Sequence, residues 1–164
     1  MSESQQIIGA LSQAEVDAIE TEISHLPDRE SAAIEALRII QQARGWVSDE
    51  SLHAAAGLLG MSDAALDSIA TFYNLIYRQP VGRHIVMVCD SVSCFVMGGE
   101  GLRSRVIREL GIEMGATTQD GNFTLLPIVC LGACDRAPVL MVDDVLFGGS
   151  ELDDLPSVFA RFRS

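Results

Sequence analysis

The chain has 164 residues, 48% hydrophobic and 21% charged, with 23 acidic and 11 basic side chains giving a formal net charge of −12. That length suits one ordinary domain or two small ones with a real core, and the hydrophobic share excludes a disordered chain. Every basic residue is arginine and no basic face is visible, which excludes nucleic-acid binding; no apolar run approaches the ~18 residues of a membrane helix.

The N-terminal stretch Met1-Ser-Glu-Ser-Gln-Gln is acidic and polar. It has neither the basic start and apolar core of a secretory signal nor the arginine-rich character of a transit peptide. The expectation is a protein held in a reducing cytosol, where an even number of cysteines points to metal rather than disulfides.

Residues 1–78 read as helical. Ser12-Gln-Ala-Glu15 is a capping box opening a helix that runs to about His25, with Ile19, Ile23 and Leu26 on one face. A second helix follows Asp28, with Ala33, Leu37 and Ile40 as its stripe and Gly45 as its left-handed cap. Trp46 and Val47 then drop onto the core. Ser48 caps a third helix through Leu52, Ala55, Ala56 and Leu59, and Ser62 a fourth through Leu66, Ile69, Ala70 and Tyr73. Such helices with short connections make a four-helix bundle.

The segment Tyr77-Arg-Gln-Pro-Val-Gly82 breaks the helical period and marks a domain boundary. His84-Ile-Val-Met-Val-Cys89 is an apolar run of strand length, as in a strand buried on both faces. Gly98 to Leu110 reads as a helix with Leu102, Val106 and Leu110 inward and Arg103, Arg105 and Arg108 outward. After the turn at Gln119–Asn122, a strand spans Phe123 to Val129. Val139–Val142 and Val145–Phe147 flank Asp143-Asp144 as a hairpin, and Ser150 caps a last helix. Two strands joined through a helix should lie parallel, with a right-handed crossover. The order βαβββα is that of a thioredoxin-like sandwich. The expected fold is therefore α+β/α/β: a four-helix bundle over residues 1–78, then a thioredoxin-like domain over 79–164.

The four cysteines form two pairs, Cys89-x4-Cys94 and Cys130-x3-Cys134, each just past a strand end. Loops at neighbouring strand ends converge in α/β folds and carry the chemistry. A single cysteine is most often a small core residue, but paired cysteines suit a metal. Structural zinc sites favour C-x2-C spacing, a redox dithiol needs C-x-x-C, and a Rieske centre needs two histidines, which His25, His53 and His84 do not supply. No activator for a catalytic cysteine is evident, so no catalytic residue is assigned. The chemistry favours a [2Fe-2S] cluster on Cys89, Cys94, Cys130 and Cys134, with a structural zinc module as the alternative from another class. Asp90 and Asp135 would lower such a centre's potential and Arg136 would raise it.

These cysteine motifs, together with Ala70-Thr-Phe-Tyr73 and Arg78-Gln-Pro-Val-Gly-Arg-His84, resemble the thioredoxin-like [2Fe-2S] subunit family of NADH:quinone oxidoreductase (complex I), from about residue 12 onward. All four ligand positions of that family are cysteine here. The resemblance implies a helical bundle followed by a thioredoxin-like [2Fe-2S] ferredoxin domain. It implies a cluster within electron-transfer distance of FMN in a partner flavoprotein subunit, which also binds NADH. It further implies contact with other peripheral-arm subunits, and a place on the inner face of the cell membrane through the complex, without direct insertion. The absence of a Gly-rich dinucleotide fingerprint agrees with a cluster carrier that has no substrate site of its own. Similar subunits serve NAD-linked formate dehydrogenases and bidirectional hydrogenases; the unbroken Arg78–His84 stretch favours complex I. Thr71-Phe-Tyr73 reads as packing of the bundle against the ferredoxin domain, and Arg103, Arg105 and Arg108 as a solvated face.

Overall fold

Helix α1 (Gln13–Ser24) begins as its sequence pattern requires: Ser12 Oγ accepts from the Glu15 amide, and Glu15 Oε2 accepts from the Ser12 amide at 2.7 Å. The computed structural model describes residues 10–163. The acidic N-terminal stretch read against a targeting signal lies outside them, as do the first nine residues of the 1–78 segment. The chain divides into two compact units between Pro80 and Val81.

In the first unit, a 3₁₀ turn (Glu30–Ala32) leads into α2 (Ala33–Arg44), which Gly45 ends at φ 84°. Helices α3 (Asp49–Leu59) and α4 (Asp63–Phe72) open on Ser48 and Ser62, whose hydroxyls accept from the amides of Ser51 and Ala65. Each cap satisfies an otherwise orphaned amide of the first turn. The inward stripes meet in one core that includes Ile19, Ile23, Leu37, Ile40, Val47, Leu52, Leu59 and Leu66. Leu26 departs from the expected stripe and is exposed. It lies past the end of α1, so the helical period no longer directs it inward.

Two charged groups hold this unit at its ends. Glu15, 5% exposed, accepts from Arg44 Nε and Nη2, each at 2.6 Å, in a bidentate pair. Arg78 bonds the Val47 carbonyl, Asp49 and Asp67, tying the end of the unit back onto α3 and α4. No helix of the described residues is long and apolar enough to cross a membrane.

The second unit is a four-stranded sheet in the order β2-β1-β3-β4. Its strands are β1 (His84–Cys89), β2 (Phe123–Ile128), β3 (Val139–Val142) and β4 (Val145–Gly148). β1 runs parallel to β2 and antiparallel to β3, and β3 pairs antiparallel with β4 about Asp143. The continuous apolar sequence of β1 fits its central place, with Ile85 through Cys89 all buried. Between β1 and β2 lie α5 (Val92–Val96) and α6 (Gly99–Leu110); α7 (Leu155–Ala160) closes the chain. Leu102, Val106 and Leu110 of α6 meet Leu152, Val158 and Phe159 in the core with Val86, Leu125 and Leu140.

β2 lies at the edge of the sheet, which is where a proline at position 127 is tolerated. Its outward groups at Phe123 and Leu125 are bonded by the segment 115–118: Thr118 N–H to the Phe123 carbonyl, and Leu125 N–H to the Ala116 carbonyl.

Three expectations are corrected. The residues before α6 form a helix of their own, so Cys94 is helical and not in a loop. The last helix opens on Asp154, whose carboxylate accepts from the Ser157 amide; Ser150 sits in a preceding 3₁₀ turn, Gly149–Asp154. Arg103 and Arg105 are half-buried and partnered, where the sequence suggests a solvated face.

Candidate metal centre

The first cysteine pair is built by the end of β1 and the helix that follows. Asp90 N–H bonds the Ile128 carbonyl at 2.8 Å, holding the end of β1 to β2 just where Cys89 leaves the sheet. Ser91 then caps α5, accepting from the Cys94 amide at 3.4 Å. This single turn carries Cys94 back toward Cys89. Cys94 is 1% exposed and Cys89 5%, and both pack with Val139 against Leu131, Ala133 and Ala137.

Gly99 completes the enclosure. A Cβ at that position would lie 2.8 Å from the Cys94 carbonyl oxygen, so only glycine lets the start of α6 seat against α5. The run Gly98-Gly-Glu-Gly101 reads from the sequence as a loose helix start. Its second glycine is a point of close backbone approach.

The second pair lies past β2. Cys130 is exposed, and Gly132, at φ 74°, turns its amide onto Cys130 Sγ at 3.3 Å. Cys134, also exposed, opens the 3₁₀ turn Cys134–Arg136. The backbone of the second loop reaches the first pair, where the Leu131 amide favours the ionised form of Cys89 and the Val139 amide that of Cys94. The structure thus brings Cys89 and Cys94 together, with the backbone of the second loop against Cys89. Among the described residues, no three His, Cys, Asp or Glu side chains are grouped so as to hold a metal ion.

The two buried thiols differ electrostatically. Burial pushes Cys89 up, but the Ser91 hydroxyl and the amides of Ser91 and Leu131 outweigh it and leave the thiol below its ordinary value. Cys94 is raised, first by burial and then by its neighbour Cys89, against the opposing Ser91 hydroxyl. Burial favours the neutral thiol and hydrogen bonds to sulfur favour the thiolate, so one member of the pair is set to ionise before the other.

The donor set fits an iron–sulfur centre. Soft thiolates are its ligands, and backbone amides aimed at sulfur are its usual support. Around the pairs, Arg103 on α6 reaches Asp90 at 2.8 Å, so the carboxylate beside Cys89 is not a bare charge. Arg136 is likewise paired, with Glu151 at 2.7 Å. Neither pair is visible in the local sequence, since the partners lie 13 and 15 residues apart on different elements. His84 is away from the cysteines: its Nδ1 lies 2.7 Å from Asp143 and its ring packs on Phe123 and Phe162.

The surroundings are apolar and exposed. Val92, Phe95 and Val96 on α5, Met97 just after it, and Val129 beside Cys130, all face solvent, Phe95 by 62% and Val129 by 78%.

The unequal burial predicts unequal reactivity. In the metal-free chain, iodoacetamide should label Cys130 and Cys134 rapidly, and Cys89 and Cys94 only under denaturing conditions. Mass-spectrometric peptide mapping over a time course measures this; equal rates at all four positions would contradict the burial of the first pair.

Comparison with known proteins accords with this architecture. The family described as thioredoxin-like [2Fe-2S] ferredoxin matches residues 19–163. The E subunit of the NADH-quinone oxidoreductase of Pseudomonas aeruginosa is 45% identical over 152 residues, covering 93% of this chain and 92% of the relative. The protein of the same name from Escherichia coli K12 is 44% identical over 153 residues, with the same coverage. Among solved structures, a chain of an NAD+-reducing [NiFe]-hydrogenase superposes with a TM-score of 0.63 at 18% identity. The match takes in 78% of this chain but only 22% of the hydrogenase chain, and what it shows is shared fold. By its sequence along nearly its whole length and by its four-stranded sheet, the chain belongs to the thioredoxin-like [2Fe-2S] ferredoxin family.

Proposed function

We propose that this chain is the electron-transfer subunit of an NADH:quinone oxidoreductase, binding a [2Fe-2S] cluster through Cys89, Cys94, Cys130 and Cys134. The observation that carries this is the similarity to NADH-quinone oxidoreductase subunits across 93% of the chain, which takes in both cysteine pairs. The site's chemistry supports it. A two-iron centre takes two sulfurs on each iron, so it needs two pairs and not four sulfurs about one ion. Cys89 with Cys94, and Cys130 with Cys134, are such pairs.

When bound, the group supplies a place where one electron is held and given back. The chain's residues do the rest: the cysteines hold it, amides of Leu131, Gly132 and Val139 face the sulfurs, and the apolar packing about Cys94 keeps water from the inner pair. The partner is a flavoprotein subunit carrying FMN and the NADH site. That flavin would supply electrons from NADH, and this chain's cysteines would hold the centre that takes them one at a time. The exposed apolar residues Val92, Phe95, Val96, Met97 and Val129, which flank Cys94 and Cys130 in the chain, suit a surface that a partner covers.

Other peripheral-arm subunits complete the assembly, and the chain sits in the cytoplasm on the inner face of the cell membrane through them. Within the chain, α1 to α4 act as a four-helix bundle domain to about residue 78, and the ferredoxin domain follows from 79. The corresponding subunit of a hydrogenase is the second reading. It is favoured by fold likeness alone, at 18% identity.

Anaerobically purified chain should be brown-red, contain equal iron and acid-labile sulfide, and give an EPR signal on reduction. A colourless preparation with one zinc per chain would overturn the proposal in favour of a structural zinc module. Subunits co-purifying from cells identify the parent complex: membrane-arm subunits support the quinone reductase, and hydrogenase or formate dehydrogenase subunits exclude it.

A further inference from the structure

Ser91 occupies a place that no motif singles out. Its hydroxyl accepts from the Cys94 amide at 3.4 Å, capping α5, and at the same time lies 3.5 Å from Cys89 Sγ. With Cys89 as a thiol, the S–H donates to Ser91 Oγ. A hydroxyl has one donor and two acceptor positions. Once Cys89 is a thiolate, Ser91 can therefore turn its O–H onto that sulfur without giving up the Cys94 amide. Its extended backbone, φ −75° and ψ 158°, is fixed by the cap, so the donor is held in place beforehand.

We propose that Ser91 is a positioning residue whose hydroxyl donates to Cys89 Sγ and holds the reduction potential of the centre above the value the cysteines and amides alone would give. The proposal rests on the cluster assignment made above. The physical reason is charge. A centre that has taken one electron carries more negative charge on its sulfurs, and a fixed donor to sulfur stabilises that form more than the oxidised one. The side chain also ties the two ligands of one pair to a single oxygen.

Substitution separates this role from capping. Ser91→Gly removes the hydroxyl but keeps a residue well tolerated at a helix N-cap, whereas Ser91→Thr keeps both hydroxyl and cap. The test is an EPR-monitored redox titration of the full chain, with iron and acid-labile sulfide measured on each sample. Ser91→Gly should load its cluster fully and shift the reduced-to-oxidised equilibrium about tenfold toward the oxidised form, about 59 mV more negative for one electron. Ser91→Thr should titrate with the wild type. Ser91→Ala provides a second hydroxyl-free variant if the glycine variant does not load.

An unchanged potential in a fully loaded Ser91→Gly or Ser91→Ala chain overturns the proposal and leaves the cluster assignment standing. So does a Ser91→Thr chain as low as the hydroxyl-free variants. If neither hydroxyl-free variant holds iron while Ser91→Thr does, the hydroxyl acts in assembly and not on potential, and the proposal falls. A wild-type chain without iron and sulfide overturns the cluster assignment itself, and this proposal with it.

Discussion

Serine in place of Cys89 is expected to leave a colourless chain, with bound iron and acid-labile sulfide reduced more than about tenfold, because even residues behind a ligand cost ~10–100-fold in metal affinity when replaced. The same is expected at Cys94, Cys130 and Cys134. A serine hydroxyl is a poor substitute for a thiolate toward iron, and each iron has only one pair of protein sulfurs to draw on. The first unit should be untouched, since all four cysteines and the Ser91 bonded to Cys89 lie in the second unit. The sole tryptophan, Trp46, lies in the first unit and reports its unfolding separately. Iron and sulfide assays with visible absorbance measure the first effect, and Trp46 fluorescence in urea the second. Full iron in all four single variants would remove these cysteines as the ligand set.

The second large effect concerns Glu15. Its carboxyl is lowered from 4.5 to about 2, chiefly by the hydrogen bonds of Arg44, with burial working in the opposite direction. A carboxyl whose folded value lies below its unfolded value stabilises the fold fully above the unfolded value, and this contribution fades as pH falls from 4.5 toward 2. A tenfold change in acidity between the folded and unfolded states corresponds to about 1.36 kcal/mol, so the pair should contribute about 2–3 kcal/mol, allowing for the part of Arg44 that faces water. Glu15→Gln should therefore destabilise the first unit by about 2–3 kcal/mol at pH 7, while wild type and variant converge near pH 2. Urea unfolding followed by Trp46 fluorescence at a series of pH values measures it. A gap between the two proteins that stays constant from pH 7 to pH 2 would mean that the pair carries no such linkage.

Glu15 also illustrates what can be read from the chain and what cannot. Its capping role is local: Ser12 and Glu15 are three residues apart, and the reciprocal bonds follow from the spacing. Its partner Arg44 lies 29 residues away at the far end of α2, and nothing in the local pattern joins them. The same division runs through the molecule. Ser48, Ser62, Gly45 and Gly60 announce their helix ends because a cap is a one-turn interaction. The buried run His84–Cys89 announces a central strand because both faces are apolar. Helix α5 gives no such signal, for its five residues are too few to show a helical period and begin and end on valine. Arg103 reads as solvated because Asp90 meets it only after folding.

At the site, residue types and spacing propose four sulfurs, of which the structure brings Cys89 and Cys94 together, and the fold supplies what surrounds that pair. Neither the amide of Leu131 over Cys89 nor the close approach of Gly99 to Cys94 has a sequence signature. The dual role of Ser91 does have a weak one, a serine directly before a short helix, though it names the cap and not the sulfur.

The edge strand β2 has a consequence for how the chain behaves before it finds its partners. An exposed strand edge invites pairing by another chain, because its outward N–H and carbonyl groups remain open for a new ladder. Here the outward positions Phe123 and Leu125 are already taken by Thr118 and Ala116, and at 127 proline offers no N–H at all. The outer side of β2 is thus closed to strand addition. That side of the sheet is thereby protected against aggregation through its own backbone.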